Sequence, residues 1–225
     1  MKTFKLLSMM MLIAIIASFS SCKKKGCMDP NSFTFNPEAK KDDGSCTSPE
    51  AIKKSLIFKK TATWCPYCGD WGVSYSTDIT NAHANCQVIA LHGDSEFENT
   101  VGNNLMDALP SSGWPHFFAG TQDISNSYYE LNSAVNAELG KSIEVAMAIE
   151  KTTAGSTMNV RVQSQWLGSI DGEFYLAVYV LEDGQVAEQQ IAGASSDPNF
   201  VHKNVLRAEA YNSPFGVPVT INGDR

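Results

Sequence analysis

The sequence predicts a layered α/β body followed by antiparallel β-structure, on a chain built for export. Three observations lead there. Short apolar runs alternate with helix-compatible stretches across residues 51–140. From Ser142 onward the apolar residues change to a period of two, broken by turn-rich segments. An apolar stretch behind two lysines opens the chain. Strand–helix alternation points to an α/β layer architecture, and short alternating runs between turns point to an antiparallel sheet or sandwich.

The opening "MKTFKLLSMMMLIAIIASFSSC" has Lys2 and Lys5, an apolar run from Leu6 to Ala17, then small residues up to Cys22. This is the three-part build of a secretory signal peptide, assigned to residues 1–21. Its apolar core is about half of the ~20 residues needed to span a bilayer. A cysteine straight after "SFSS" resembles a bacterial lipoprotein signal, with Phe19 where Leu is usual. The resemblance implies that Cys22 is acylated, so that the protein is anchored to a membrane rather than spanning it. The alternative is plain secretion with Cys22 incidental. No later stretch reaches the ~18 apolar residues of a membrane helix.

Removing residues 1–21 takes Lys2 and Lys5 with it and leaves 204 residues, with 15 basic against 24 acidic side chains and a net charge of −9. An acidic body argues against nucleic acid as partner, because affinity for phosphates comes from clustered Lys and Arg. The "KKK" at 23–25 sits beside the lipid site, as a contact to anionic headgroups or as a solvated tether.

Export makes disulfide pairing the default for the remaining cysteines. Residues 22–50 are expected to be a tether and a spacer stapled by Cys27 and Cys46. The intervening "MDPNSFTFNPEAKKDDGS" has Asp-Pro and Asn-Pro steps, a "DDGS" turn and almost no aliphatic residues, so it cannot build a core. A disulfide closing it contributes roughly 3 kcal/mol on the chain-entropy model. The segment resembles short cysteine-closed modules near the termini of exported bacterial proteins. Asp29, Asn31, Asn36, Asp42 and Asp43 offer hard oxygens of the kind Ca²⁺ takes, but their spacing is not that of an EF-hand loop.

Leu56, Ile57 and Phe58 read as a buried strand. A helix-compatible stretch follows from about Cys68, weakened by Gly69 and Gly72. "CQVIALHGD" (86–94) is a second strand, "EFENTVGNNLMDAL" (96–109) a second helix, and Pro115 leads into an aromatic strand. Ser125 or Ser127 caps "YYELNSAVNAEL", which stops at Gly140.

Between the first strand and the first helix stands "TATWCPYCGDWG" (61–72). Its Cys65 and Cys68 admit three readings: a redox dithiol, an inert structural disulfide, or half of a zinc site with His83 and Cys86. For the first, Cys65 lies at the free N–H groups of a helix start, which stabilise a thiolate. Cys68, one turn on, can then attack a mixed disulfide, and Pro66 suits a first-turn position. The zinc set reads C-x₂-C-x₁₄-H-x₂-C, but Cys86 runs straight into a strand and an oxidising compartment favours the disulfide. Cys86 is then a buried core thiol or, alternatively, an intermolecular or resolving cysteine. Of the histidines His83, His92, His116 and His202, only His116, following Pro115, is placed to face the dithiol. No cofactor is called for.

On "WCPYC" and "GWP" (113–115), residues 51–140 resemble a thioredoxin-superfamily domain. The resemblance implies that Cys65 is the nucleophile, Cys68 the resolving thiol and Pro115 a cis-proline that orients the substrate backbone. It implies too that Trp64, Pro66, Tyr67 and Trp114 border the substrate, and that protein thiols and disulfides are the partners. The Pro-Tyr dipeptide is that of glutaredoxins, whose potentials run from about −200 to −230 mV. Bulky Trp114 precedes the proline, no buried acid is placed behind the dithiol, and the helix lacks a kinking proline.

Residues 141–225 are expected to form a β-sheet or sandwich domain from "SIEVAMAIEK", "STMNVRVQSQWLG" and "GEFYLAVYVLED". Further strands are expected in "VHKNVLRAEAYN" and "GVPVTING". With "VHKNVLRA" after a strand ending in "EDG", the chain resembles a Gram-negative outer-membrane lipoprotein family of about twenty-eight kilodaltons. That resemblance implies a lipid-anchored protein of the cell envelope, sometimes proposed to be adhesive. The chain stops at Arg225, about two strands short of a full sandwich, so the expectation is either a fragment or a partial sheet whose open edge is exposed unless a partner covers it. Two functions follow: a membrane-anchored thiol–disulfide oxidoreductase, or a non-catalytic surface lipoprotein on the same scaffold with a structural Cys65–Cys68 bond.

Overall fold

The computed structural model describes residues 23–93, 96–124, 127–168 and 172–219. The signal segment and Cys22 lie outside the described residues, as does Ser125. The chain divides into two compact units, one from residues up to Glu50 with Ala146–Gln165, the other from Ala51–Val145 with Trp166–Arg225.

The larger unit is a mixed α/β structure around a six-stranded sheet of order β4-β3-β1-β2-β11-β8. Its strands are β1 (Ser55–Thr61), β2 (Cys86–His92), β3 (His116–Ala119), β4 (Gln122–Ile124), β8 (Tyr179–Glu182) and β11 (Val205–Glu209). β1 and β2 run parallel with Ile57 opposite Val88, while β3 pairs antiparallel to β1 with Phe58 opposite Phe118. Among the described residues four helices complete the body: α1 (Pro66–Gly69), α2 (Trp71–Ala82), α3 (Thr100–Ala108) and α4 (Tyr128–Leu139).

Strand residues alternate between the two faces of a sheet, and each face here has its own core. Ile57, Val88, Phe117 and Ile124 pack with Ile79 of α2 and Leu131 and Val135 of α4. Phe58, Ile89, Leu91 and Phe118 pack with Leu105 and Met106 of α3 and with Leu206. The helix boundaries follow from caps. α3 starts at Thr100 rather than 96 because the Asn99 side chain accepts from Gly102 N at 2.9 Å and donates to Leu206 O at 2.7 Å. Ser127 caps α4 by accepting from Glu130 N. The helix foreseen from Cys68 is broken at Asp70 into a four-residue turn and a longer helix.

The sequence assigns all β-structure after Ser142 to one further domain; the sheet takes a different course. β11 lies beside β2, with Ala90 N donating to Asn204 O at 2.9 Å, and β8 pairs antiparallel with β11. The physical reason is burial: Val88 to Leu91 are enclosed on both faces, so β2 cannot be an edge and takes Val205 and Leu206, themselves buried, as its cover. β9 (Gln185–Gln189) and β10 (Asp197–His202) form a bulged antiparallel ribbon, and β7 (Tyr175–Leu176) pairs with β12 (Val217–Pro218).

The smaller unit contains the stapled segment and the ribbon of β5 (Val145–Ala154) and β6 (Thr157–Trp166). Cys27 and Cys46 are disulfide-bonded, with Cα atoms 4.7 Å apart. The oxygens weighed for calcium are engaged locally: Asp29, Asn36, Asp42 and Asp43 each accept from a backbone N–H two residues on, at 2.9–3.1 Å. These are Asx turns, which hold a chain with little core. In β5 it is Ala146 and Ala148 that are buried, while Met147 and Ile149 face outward.

Candidate functional site

Cys65 and Cys68 form a disulfide with Cα atoms 5.2 Å apart. Cys65 is the N-cap of α1, in extended conformation, and its Sγ accepts from Cys68 N at 3.2 Å. Pro66 occupies the first turn, where its missing N–H leaves nothing unpaired. The helix behind Cys65 is one turn long, so thiolate stabilisation rests on that direct N–H contact more than on a macrodipole.

Both sulfur-bearing residues are buried, at 2% and 1% exposure, with Ala62 beside them and Trp114 packed over them. Trp64 and Tyr67 are exposed on the rim, and the Trp64 and Trp114 rings lie 6.0 Å apart. The Lys60 ammonium stands 5.4 Å from the Trp114 ring centroid, a cation–π contact that fixes the indole. The Trp114–Pro115 peptide is cis. Gly72 lets the proline in: a Cβ there would stand 2.8 Å from Pro115 Cγ. Gly69 admits a second neighbour, since its Cβ would stand 2.3 Å from Gln190 O. The two glycines that weaken the helix in the sequence are required by packing.

That second neighbour is what the sequence does not reveal. Gln189, at the end of β9, is 2% exposed, and its Nε2 lies 2.9–3.3 Å from the carbonyls of Ala62, Thr63, Cys65 and Gln190. Gln190 N donates to Thr63 O at 2.9 Å and Ala192 N to Pro66 O at 3.1 Å. A segment about 125 residues downstream thus holds both sides of the cysteine loop. Only the unusual "EQQ" at the end of a strand pattern hints at it.

The other residues weighed for the site go elsewhere. His83 caps the end of α2, with Nε2 2.7 Å from Asn132 Oδ1. Cys86 is a free thiol packed in the α2/α4 core, pushed up to about 11 by burial. With Cys65 and Cys68 tied to each other, the four do not form a tetrahedral set, and among the described residues no His, Cys, Asp and Glu group is arranged to hold a metal. His116 is buried and bonds Asp123 on β4, Nε2 to Oδ1 at 2.6 Å, rather than meeting the dithiol.

His92 and His202 do lie near the site. Their rings are 5.4 Å apart, and burial first, then neighbouring cations, pushes His92 down to about 3. His202 is lowered by burial as well. A histidine held neutral in the fold binds fewer protons than its unfolded counterpart, so this stability is present above about pH 6.5 and lost as pH falls toward the folded value. The urea midpoint is therefore expected to fall between about pH 6.5 and 4.5. The lowered carboxylates Asp43 and Glu138 lose their contribution only below that window. A midpoint constant across it would contradict the burial of the pair.

No protein-family model and no curated protein matches the chain. Two solved structures do. HBP35 of Porphyromonas gingivalis matches with a TM-score of 0.64 at 14% identity, over 79% of this chain and 62% of its own. A crystal structure of an Agrobacterium tumefaciens protein matches with a TM-score of 0.41 at 14% identity, over 76% and 78%. At this identity the first likeness concerns the fold, and this chain spans 62% of HBP35's length.

Proposed function

We propose that this chain is a thiol–disulfide oxidoreductase on a thioredoxin-like scaffold, tethered to the cell envelope by a lipid on Cys22, most plainly at the outer membrane. The observation that carries it is the convergence on one disulfide of an N-cap cysteine, its partner one turn on, and a cis-proline reached through Gly72. The flanking β-structure supports the scaffold: β4-β3-β1-β2 carries α2 and α4 on one face and α3 on the other. In the reductive direction Cys65 thiolate attacks a protein disulfide, forming a mixed disulfide and releasing one thiolate. Cys68 then attacks Cys65 Sγ and releases the second. Pro115 orients the substrate backbone, and the Trp64–Trp114 pair moves aside to admit it.

The second reading is a binding lipoprotein whose Cys65–Cys68 bond is structural. The burial of both cysteines beneath Trp114 favours it, because reactive cysteines are partly exposed. A redox titration in glutathione buffers, quenched by alkylation and read by mass at Cys65 and Cys68, decides between them. The oxidoreductase reading expects a reversible two-electron transition between about −120 and −270 mV. A bond that stays oxidised below about −300 mV sinks it in favour of the structural disulfide.

A further inference from the structure

The two consecutive lysines of β1 point to opposite faces of the sheet. Lys60 faces Trp114 and the Asp107 carboxylate. Lys59 points the other way, into the body, and is 8% exposed. It lines a cavity of about 350 Å³ between the β1/β2 face and α2, closed by Gln189 and residues 200–204. Cys68 lies in the wall of the same cavity. A larger cavity, about 490 Å³, lies by Lys54, Gly120 and Glu138 and does not include the cysteines.

Among the described residues the lining contains no carboxylate. The titratable groups facing Lys59 are Cys68, His92, His202 and Lys203, and α2 contributes only Val73, Ser76, Thr77, Thr80 and Asn81. His202 Nε2 is buried with no hydrogen-bond partner. A buried ammonium without a counter-ion is costly, so burial alone brings Lys59 down to about 8. An amine so placed exchanges its proton near neutrality, and lysines made basic catalysts arise in this way. The space is roomy enough for water to link the two groups.

We propose that Lys59 is the proton-exchange partner of Cys68, taking the thiol proton across this cavity when the dithiol closes on a bound substrate. The inference rests on the oxidoreductase reading. Neutral Lys59 Nζ accepts the proton of Cys68 Sγ–H, and the thiolate attacks Cys65 Sγ. The Cys65–Cys68 bond forms while the Cys65–substrate S–S bond breaks, and the substrate leaves as thiolate. Two electrons pass from the dithiol to the substrate disulfide, and Lys59 then returns its proton to solvent. In the oxidative direction the same ammonium protonates departing Cys68.

The test is stopped-flow reaction of the reduced full chain, in a Cys86→Ser background, with an aromatic disulfide whose thiolate is coloured. The first phase reports attack by Cys65 and the second reports closure by Cys68. The second phase is expected to accelerate as pH rises through about 8 and then level. In Lys59→Met and Lys59→Gln it is expected to slow at least about tenfold, with its inflection moved upward, while the first phase changes little. Equal second-phase rates and inflections in wild type and both variants overturn the proposal. So does a wild-type second phase that shows no inflection near pH 8, a result independent of whether the variants fold. A wild type that reacts at Cys65 but never closes, or does not react, instead removes the oxidoreductase reading, and this inference with it.

Discussion

Replacing Cys65 by serine is expected to abolish disulfide reduction, lowering turnover of a protein disulfide by about 10³-fold or more, because no second nucleophile stands at the N-cap. Cys68→Ser is the informative partner. It leaves Cys65 with its buried position and its contact to the backbone N–H of residue 68, but removes the thiol that resolves the intermediate. A mixed disulfide on Cys65 should therefore accumulate and be seen by intact mass. If Cys68→Ser gives no adduct while wild type turns over, the order of attack assigned to the two cysteines is reversed. If neither variant alters the rate, the chemistry lies outside this pair. In both variants the fold should hold to within a few kcal/mol, since a disulfide closing so short a loop removes little entropy from the unfolded chain.

Gln189→Ala is the change expected to cost the most stability for a single polar side chain. The side chain's two N–H donors serve four carbonyls around the cysteine loop. The carbonyls of Ala62, Thr63 and Cys65 keep their backbone donors, so the cost is that of the lost side-chain bonds and of the cavity opened, together about 2–4 kcal/mol. In a chain of this size that lowers the melting temperature by roughly 5–15 °C. Gln189→Leu separates the two contributions, restoring volume without donors. The disulfide of either variant should also be reduced faster by a small thiol, because the loop moves. An unchanged melt and reduction rate would show that the loop stands without this side chain.

The two apolar strands of the α/β body were legible because Ile57 and Phe58, and Val88 to Leu91, form short runs that only burial explains. The cysteine loop was legible because Trp-Cys-Pro-Tyr-Cys between a strand and a helix has few physical uses. The sequence could not show where the C-terminal strands go. Val205 and Leu206 satisfy a sandwich and a β2 edge equally well, and only the two-sided burial of β2 selects the second. The buried face of β5 was illegible for a related reason: Met147 and Ile149 dominate any reading of apolarity, yet the small Ala146 and Ala148 are what is buried. Gln189 escaped because it acts across about 125 residues, and Lys59 because an apolar run does not show which of its residues lines a cavity. Neither a polar residue at a strand end nor a lysine inside an apolar run declares its partner.

The clamp on the cysteine loop sets an order of events. Cys65 and Cys68 leave the ribosome, and cross any export channel from the N-terminus, roughly 125 residues ahead of the glutamine that fastens them. During that interval the pair is unfastened and accessible, with Cys86 following close behind as a rival. The site is completed by Gln189, so a molecule cut short before that residue carries the cysteine motif without the hold that shapes it. Maturation of the cysteine pair is thereby coupled to the arrival of Gln189, and the loop acquires its held geometry only once that residue has been made and folded against it.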